Sequence, residues 1–199
     1  ACSGYYYADS TINGFSHTHL SGTGCGDYGD VLLMPTVGRQ DYHAMGKKSQ
    51  QMAYASPFSH GREKAEPGYY SVFLNRYGVQ AELTSTKRAA IHRYTFPKSG
   101  KAGFILDLDY SLQRQKNEEM KLEVISDTEI RGHKKTVYWA FDQYINFYAK
   151  FSKPFTYTMV TDSMALDEGE PLLPTAKVLL QFQTEKDEQV MVKVGVSAV

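Results

Sequence analysis

KVLLQFQTEKDEQVMVKVGVSAV, residues 177–199, decides the fold class. Val190, Val192, Val194 and Val196 recur at every second position, the period at which side chains share one face of an extended strand. The charged run Glu185–Glu188 separates this strand from the apolar KVLLQF and reads as a solvated turn. The stretch therefore predicts a β-hairpin.

The same period runs through most of the chain upstream. In GYYSVFLNRYGVQAELTSTKRAAIHRYTF (68–96) Val79, Ala81 and Leu83 form one set, and Ile91, Arg93 and Thr95 oppose His92, Tyr94 and Phe96. After a turn in PKSGK (97–101), GFILDLDYSL (103–112) places Phe104, Leu106, Leu108 and Tyr110 on one face and Ile105, Asp107 and Asp109 on the other. KLEVISDTEIRGHKK (121–135) reads as two short strands around a turn at Ser126–Asp127. TVYWAFDQYINFYAKFSKP (136–154) reads as a long strand pair with aromatics on both faces, which predicts cover on both sides. DVLLMPTVG (30–38) reads as a strand ending at Pro35, and 35–68 as loop with short strands.

Turn signals fall about every ten residues, and no apolar pattern holds a helical period over three turns. Fifteen Tyr, ten Phe and plentiful Val, Ile and Thr favour half-buried pleated surfaces. The prediction is an all-β chain: one large antiparallel β-sandwich occupying residues 1–199, with no linker or internal repeat to divide it.

Composition narrows the function. Lys plus Arg and Asp plus Glu are 22 each, so the formal charge is zero and offers no electrostatic footprint for nucleic acid or an anionic membrane. No apolar run reaches membrane-spanning length, and ACSGYYYADS carries no signal-peptide pattern. Cys2 and Cys25 could pair or stay free.

GFSHTHLSGTGCGDYGD (14–30) is the chemically richest segment. On a strand His17 and His19 would lie on one face about 6.5–7 Å apart, a spacing that can chelate a metal, with Asp27 or Asp30 adding oxygen. The bland reading is that both imidazoles hydrogen-bond loop backbone. A phosphate cradle fails because GTGCG lacks the following Lys-Ser/Thr and no helix starts there. A glycine-shaped polar loop standing on a strand, built to touch a ligand, fits best. Elsewhere, Asp107 and Asp109 alternate at about 6.5–7 Å, within the range of an inverting glycosidase pair, though carboxylates on a solvated sheet face are the commoner explanation. No G-x-S-x-G elbow occurs.

GYYYADSTINGFSHTHLSGTGCGDYGDVLLMPTVG (4–38), FSHGREKAEPGYYSVFL (58–74), AELTSTKRAAIHRYTFP (81–97), YAKFSKPF (148–155) and VMVKVGVSAV (190–199) together resemble the N-terminal region of glycoside hydrolase family 92. The resemblance covers nearly the whole chain in order. It implies a supersandwich of the galactose-mutarotase kind, packed in the intact enzyme on an (α/α)₆ helical domain. It implies calcium-dependent, inverting exo-α-mannosidase activity on glycans, with the acid, the base and the calcium ligands all in the helical domain that would follow Val199. No calcium ligand and no catalytic residue is expected within these 199 residues. Family members also carry a glycine-rich stretch before the region matching ACSGYYY, so the first strands of the sandwich are expected upstream. A periplasmic or extracellular location is implied too.

On that basis residues 14–30 are expected to face the crevice between the two domains, with Phe15, His17, His19, Ser21, Thr23 and Asp27 as candidate substrate-binding residues. Two alternatives come from other classes. One is a stand-alone carbohydrate-binding module using Tyr5, Tyr6, Tyr7 or Trp139 as stacking platforms. The other is a metal-dependent oxygenase built on His17 and His19.

Overall fold

The computed structural model describes residues 4–20, 26–40, 51–112, 116–138, 141–160 and 176–198. Ser21, Thr23, both cysteines and Trp139 lie outside the described residues. Regular structure among the described residues is strand, apart from one 3-10 turn at His60–Arg62. In chain order the strands are β1 (Thr11–Ile12), β2 (Leu32–Val37), β3 (Ser56–Pro57), β4 (Glu63–Glu66), β5 (Tyr69–Leu74), β6 (Val79–Ser85) and β7 (Ala89–Phe96). They continue as β8 (Ser99–Asp107), β9 (Lys116–Val124), β10 (Glu129–Val137), β11 (Gln143–Phe151), β12 (Thr156–Val160), β13 (Lys177–Thr184) and β14 (Glu188–Ala198).

An eight-stranded sheet runs β4-β5-β6-β7-β14-β11-β10-β9, a four-stranded sheet runs β12-β13-β8-β2, and β1 pairs with β3. Every pairing is antiparallel. The two larger sheets bury one continuous core, so the expected all-β antiparallel sandwich is what forms.

The expected hairpin of residues 177–198 does not form. β13 pairs with β8 and β12 in the small sheet, while β14 pairs with β7 and β11 in the large one. Glu185–Asp187 thus carries the chain across the sandwich as an arch. The pattern explains the difference: Lys177, Val178, Leu179 and Leu180 are all buried, as suits an inner strand covered on both faces, whereas Val190, Val192 and Val194 alternate with more exposed residues. Both arrangements satisfy the same valine period.

Two more arches stand beside this one. β7 passes to β8 through Pro97-Lys98, and β11 passes to β12 through residues 152–155. Since β7, β14 and β11 are neighbours above and β8, β13 and β12 are neighbours below, the three crossings close one end of the sandwich. Beneath them Phe96, Phe104, Phe151, Phe155 and Phe182 pack with ring centroids 5.3–5.6 Å apart, mostly edge-to-face or tilted. Such pairs contribute about 0.5–1.5 kcal/mol each beyond burial. Thr184 Oγ1 donates to the Pro97 carbonyl at 2.7 Å, and Lys98 meets Glu185 at 3.1 Å, tying adjacent arches together.

Two other expectations change. β11 alternates strictly between buried and exposed positions, so the cover expected on both sides of 136–154 is one-sided, with Tyr144 and Tyr148 outward. The strand expected to end at Pro35 continues to Val37, because β2 lies at the margin of its sheet, where a residue without N–H is tolerated.

Asp187, at the crown of the central arch, has φ 61. A β-branched side chain is poorly tolerated there, so Asp187→Val lowers the unfolding free energy by about 1–2 kcal/mol while Asp187→Gly does not lower it. Urea unfolding of the two variants checks this, and equal losses would contradict the arch geometry.

Candidate functional site

Residues 15–19 run antiparallel to 28–33. Phe15 and Leu33 exchange both backbone hydrogen bonds, at 2.9 and 3.0 Å, the His17 N–H donates to the Asp30 carbonyl at 3.0 Å, and Gly29 N–H to that of Thr18 at 3.0 Å. Leu33 pairs with Leu106 of β8 on its other side, so the segment lies along the margin of the small sheet. Glycine is required at two points. A Cβ on Gly14 would meet Leu32 Cγ at 2.9 Å, and one on Gly29, at φ 86, would meet Leu112 Cγ at 2.7 Å.

The return limb is strained: Tyr28 has φ 65 and Val31, a β-branched residue, has φ 55. Strain of this kind persists only where surroundings over-determine it, and it gathers at functional sites. His17 supplies part of that determination. Its Nδ1 lies 2.6 Å from the Val31 carbonyl, which can only accept, so Nδ1 carries the proton and Nε2 is left as a buried acceptor without a partner among the described residues. The His17 ring stacks on His92 of β7 at 5.0 Å and 6°; His92 Nδ1 meets the Tyr94 hydroxyl at 2.7 Å, and Phe15 packs edge-on against His92 at 6.2 Å. Burial holds His17 down to about 4, against a weaker opposing effect of the Val31 bond, and burial likewise holds His92 well below the usual imidazole range.

Asp30 fastens the segment to both sheets. Its amide donates to Thr18 Oγ1 at 2.8 Å, and Thr18 Oγ1 donates back to Asp30 Oδ2 at 2.9 Å. Lys134 Nζ, from β10 of the large sheet, lies 2.7 Å from Asp30 Oδ1, both side chains being 0% exposed. The same ammonium donates at 2.9 Å to the carbonyls of Leu108 and Tyr110, just beyond β8 of the small sheet. Two protons of the buried cation are therefore placed on carbonyls, while its contact with Asp30 Oδ1 is one of charge, that oxygen having no aligned hydrogen bond among the described residues.

The candidate residues thus separate. Phe15, His17 and Asp27 face the protein; Asp27 is buried and its Oδ1 accepts from the Tyr28 amide at 2.8 Å. His19 faces solvent, its Nε2 3.2 Å from Ser16 Oγ. The chelating pair expected of a continuous strand is not made, because a bend at His17 turns that ring inward while its neighbour stays outside. Among the described residues no three His, Cys, Asp or Glu side chains could hold a metal ion.

Asp107 and Asp109 are not on a solvated face. Asp107 is fully buried and accepts from the Tyr54 hydroxyl at 2.7 Å and the Tyr110 amide at 3.1 Å; Lys177 Nζ sits 3.6 Å from it and 3.4 Å from Asp109. Burial first, then the Asp107 charge, raises the Asp109 pKa. The strand ends at Asp107, so the simple alternation that predicted the pair no longer applies. A lysine between the two carboxylates makes this a structural cluster. Of the exposed N-terminal tyrosines, Tyr7 has one face covered by His60, stacked at 4.1 Å. Neither His92 nor Lys134 was expected at the site.

The histidine pair predicts a pH dependence. Both folded pKa values lie below that of an unfolded histidine, so the unfolded chain binds more protons as pH falls. The stabilisation is complete above about pH 6.5 and declines towards pH 4. Urea unfolding at pH 7.5 and 4.5 should differ by about 2 kcal/mol or more, and His17→Gln, which keeps a donor for Val31, should shrink that difference. An unchanged difference would remove His17 as its source.

The chain matches the glycosyl hydrolase family 92 N-terminal domain over residues 1–197. Its structure superposes on a family GH92 α-mannosidase from Bacteroides thetaiotaomicron with TM-score 0.86 at 34% identity, over 100% of this chain and 28% of that one. A family GH92 inverting mannosidase from the same organism gives 0.74 at 25% identity, over 98% of this chain and 25% of that one. An uncharacterized secreted glycosidase from Arthroderma benhamiae is 36% identical over 95 residues, 47% of this chain and 12% of that protein. The chain therefore spans about a quarter of these solved relatives and a smaller share of the fungal one. With the antiparallel sandwich in place and the match running from one end to the other, this chain belongs to glycosyl hydrolase family 92, as its N-terminal domain.

Proposed function

We propose that this domain belongs to a calcium-dependent, inverting exo-α-mannosidase that removes terminal α-mannose from glycans, and that residues 14–30 form the rim of a crevice shared with a C-terminal (α/α)₆ domain. The observation that carries this is the construction of the loop. A strained, glycine-shaped limb is fixed from beneath by His17, His92 and the Asp30–Lys134 pair, while His19 is presented outward. Rigid support under an exposed polar side chain is what a sugar-positioning element needs.

In this reading His19, with Ser21 and Thr23 of the same loop, hydrogen-bonds sugar hydroxyls, and Phe15, His17 and Asp27 hold the loop from below. An inverting reaction needs an acid to protonate the leaving oxygen and a base to activate water on the opposite face of the ring. This reading assigns both roles to the helical domain, and it is supported by the pairing of Asp30 with Lys134 and of Asp107 and Asp109 with Lys177. Among the described residues no three His, Cys, Asp or Glu side chains are grouped to hold calcium, and this reading places its ligands in the helical domain. A periplasmic or extracellular location is part of the proposal, supported by the secreted relative.

In the full-length enzyme His19→Ala should lower kcat/KM on an aryl α-mannoside about 10-fold, the worth of one or two hydrogen bonds, with unfolding unchanged. Wild-type turnover would remove His19 from the rim. Mannose release by residues 1–199 alone would contradict the division of labour.

A further inference from the structure

The outward face of the eight-stranded sheet, turned away from the small sheet, disposes most of its charges in cross-strand pairs. Arg131 lies 2.9 Å from Glu123, His133 2.8 Å from Glu119, Lys150 2.8 Å from Glu129, and Lys135 2.9 Å from Glu118. One region departs from this. Strand register aligns two adjacent rows, Lys121–His133–Asn146–Ser197 and Glu123–Arg131–Tyr148–Gly195–Ala89. Along the second row the side chains fall from Arg and Tyr to Gly and Ala. The surface drops there into a groove of about 570 Å³, bordered also by Arg88.

Around this groove the side chains of Arg88, Lys121, Asn146 and Ser197 have no hydrogen-bond or ion-pair partner among the described residues. Tyr148, 43% exposed, forms the aromatic wall. Tyr144, on the same strand, differs: the Lys135 ammonium sits 5.5 Å over its ring.

We propose that this groove is a second carbohydrate site, binding one pyranose of a mannose-containing glycan with its C–H face on Tyr148 and its hydroxyls on Arg88, Lys121, Asn146 and Ser197. That the sugar is mannose rests on the function proposed above; that the ligand is a sugar rests on the groove. An added peptide strand finds no free backbone, because β10, β11 and β14 each have neighbours on both sides. An exposed aromatic ring beside a fan of unpaired donors and acceptors suits a polyol. The groove lies on the opposite side of the sandwich from the sheet along whose margin the rim loop runs. It would therefore hold a distant part of the same glycan and raise local substrate concentration.

The test is retention of the full-length enzyme by soluble α-mannan in affinity electrophoresis, with turnover of a small aryl α-mannoside measured in parallel. Tyr148→Ala removes the platform, and Gly195→Trp fills the floor, where a new Cβ meets nothing within 4 Å. Both should weaken mannan retention about 10-fold and leave aryl-mannoside turnover unchanged, while His19→Ala keeps retention. Wild-type retention in either groove variant, or loss that follows His19→Ala instead, overturns the site. Mannan retention through Tyr148 by an enzyme inert on the aryl mannoside would sink the activity reading and leave the groove standing.

Discussion

The ion pair between Lys134 and Asp30 is the interaction on which the candidate site depends. Both groups are withdrawn from water, which costs several kcal/mol per ion, and their 2.7 Å contact together with the two carbonyls that accept from the ammonium offsets this. Lys134 belongs to the large sheet, Asp30 leads into the margin of the small one, and the two accepting carbonyls follow β8. One side chain therefore fixes the distance between layers and the position of the loop. An apolar residue could fill the volume, but it could not dictate where the limb carrying Tyr28 and Val31 must lie.

At the other end the sandwich is closed by three arches rather than by hairpins, which gives the molecule two unlike ends. The arch end is held by phenylalanines from both layers, with a few surface polar ties between turns. The loop end is polar inside, with stacked imidazoles, a buried lysine and a second cluster of Tyr54, Asp107 and Lys177. Apolar packing tolerates small adjustments, whereas directional hydrogen bonds and a buried ion pair restrict the arrangements open to the loop end. The loop of residues 14–30 sits at this polar end, which suits the sugar-facing role proposed for it.

Strand period alone was enough to read the all-β class, the shared valine face of β14 and the turn between β9 and β10; it sorted β7 into two faces without showing that His92, Tyr94 and Phe96 form the buried one. It could not separate hairpin from arch, since valines at every second position face the core either way. The continuous apolar run at residues 178–180 was the available signal for a covered inner strand. Lys134 shares parity with the buried Ile130 and was therefore legible as inward-facing, but a lysine is so rarely buried that its neighbours Lys135 and His133 made a solvated face the natural reading. Asp107 was misread for the same reason. The loop was legible in its glycines and not in its geometry: the bend at His17 depends on a carbonyl fourteen residues away and on a ring contributed by β7, and no local pattern encodes either.

A double-mutant cycle of Lys134→Met and Asp30→Asn, with hydrogen exchange at the His17 and Gly29 amides, probes the buried pair most directly. Each single change should cost about 3–5 kcal/mol, because it strands a charge in the interior, and the double change should cost far less than their sum. Exchange at the two loop amides should speed up in both single variants more than in the core strands. Additive, sub-kilocalorie losses with unaltered exchange would contradict the claim that this pair positions the loop.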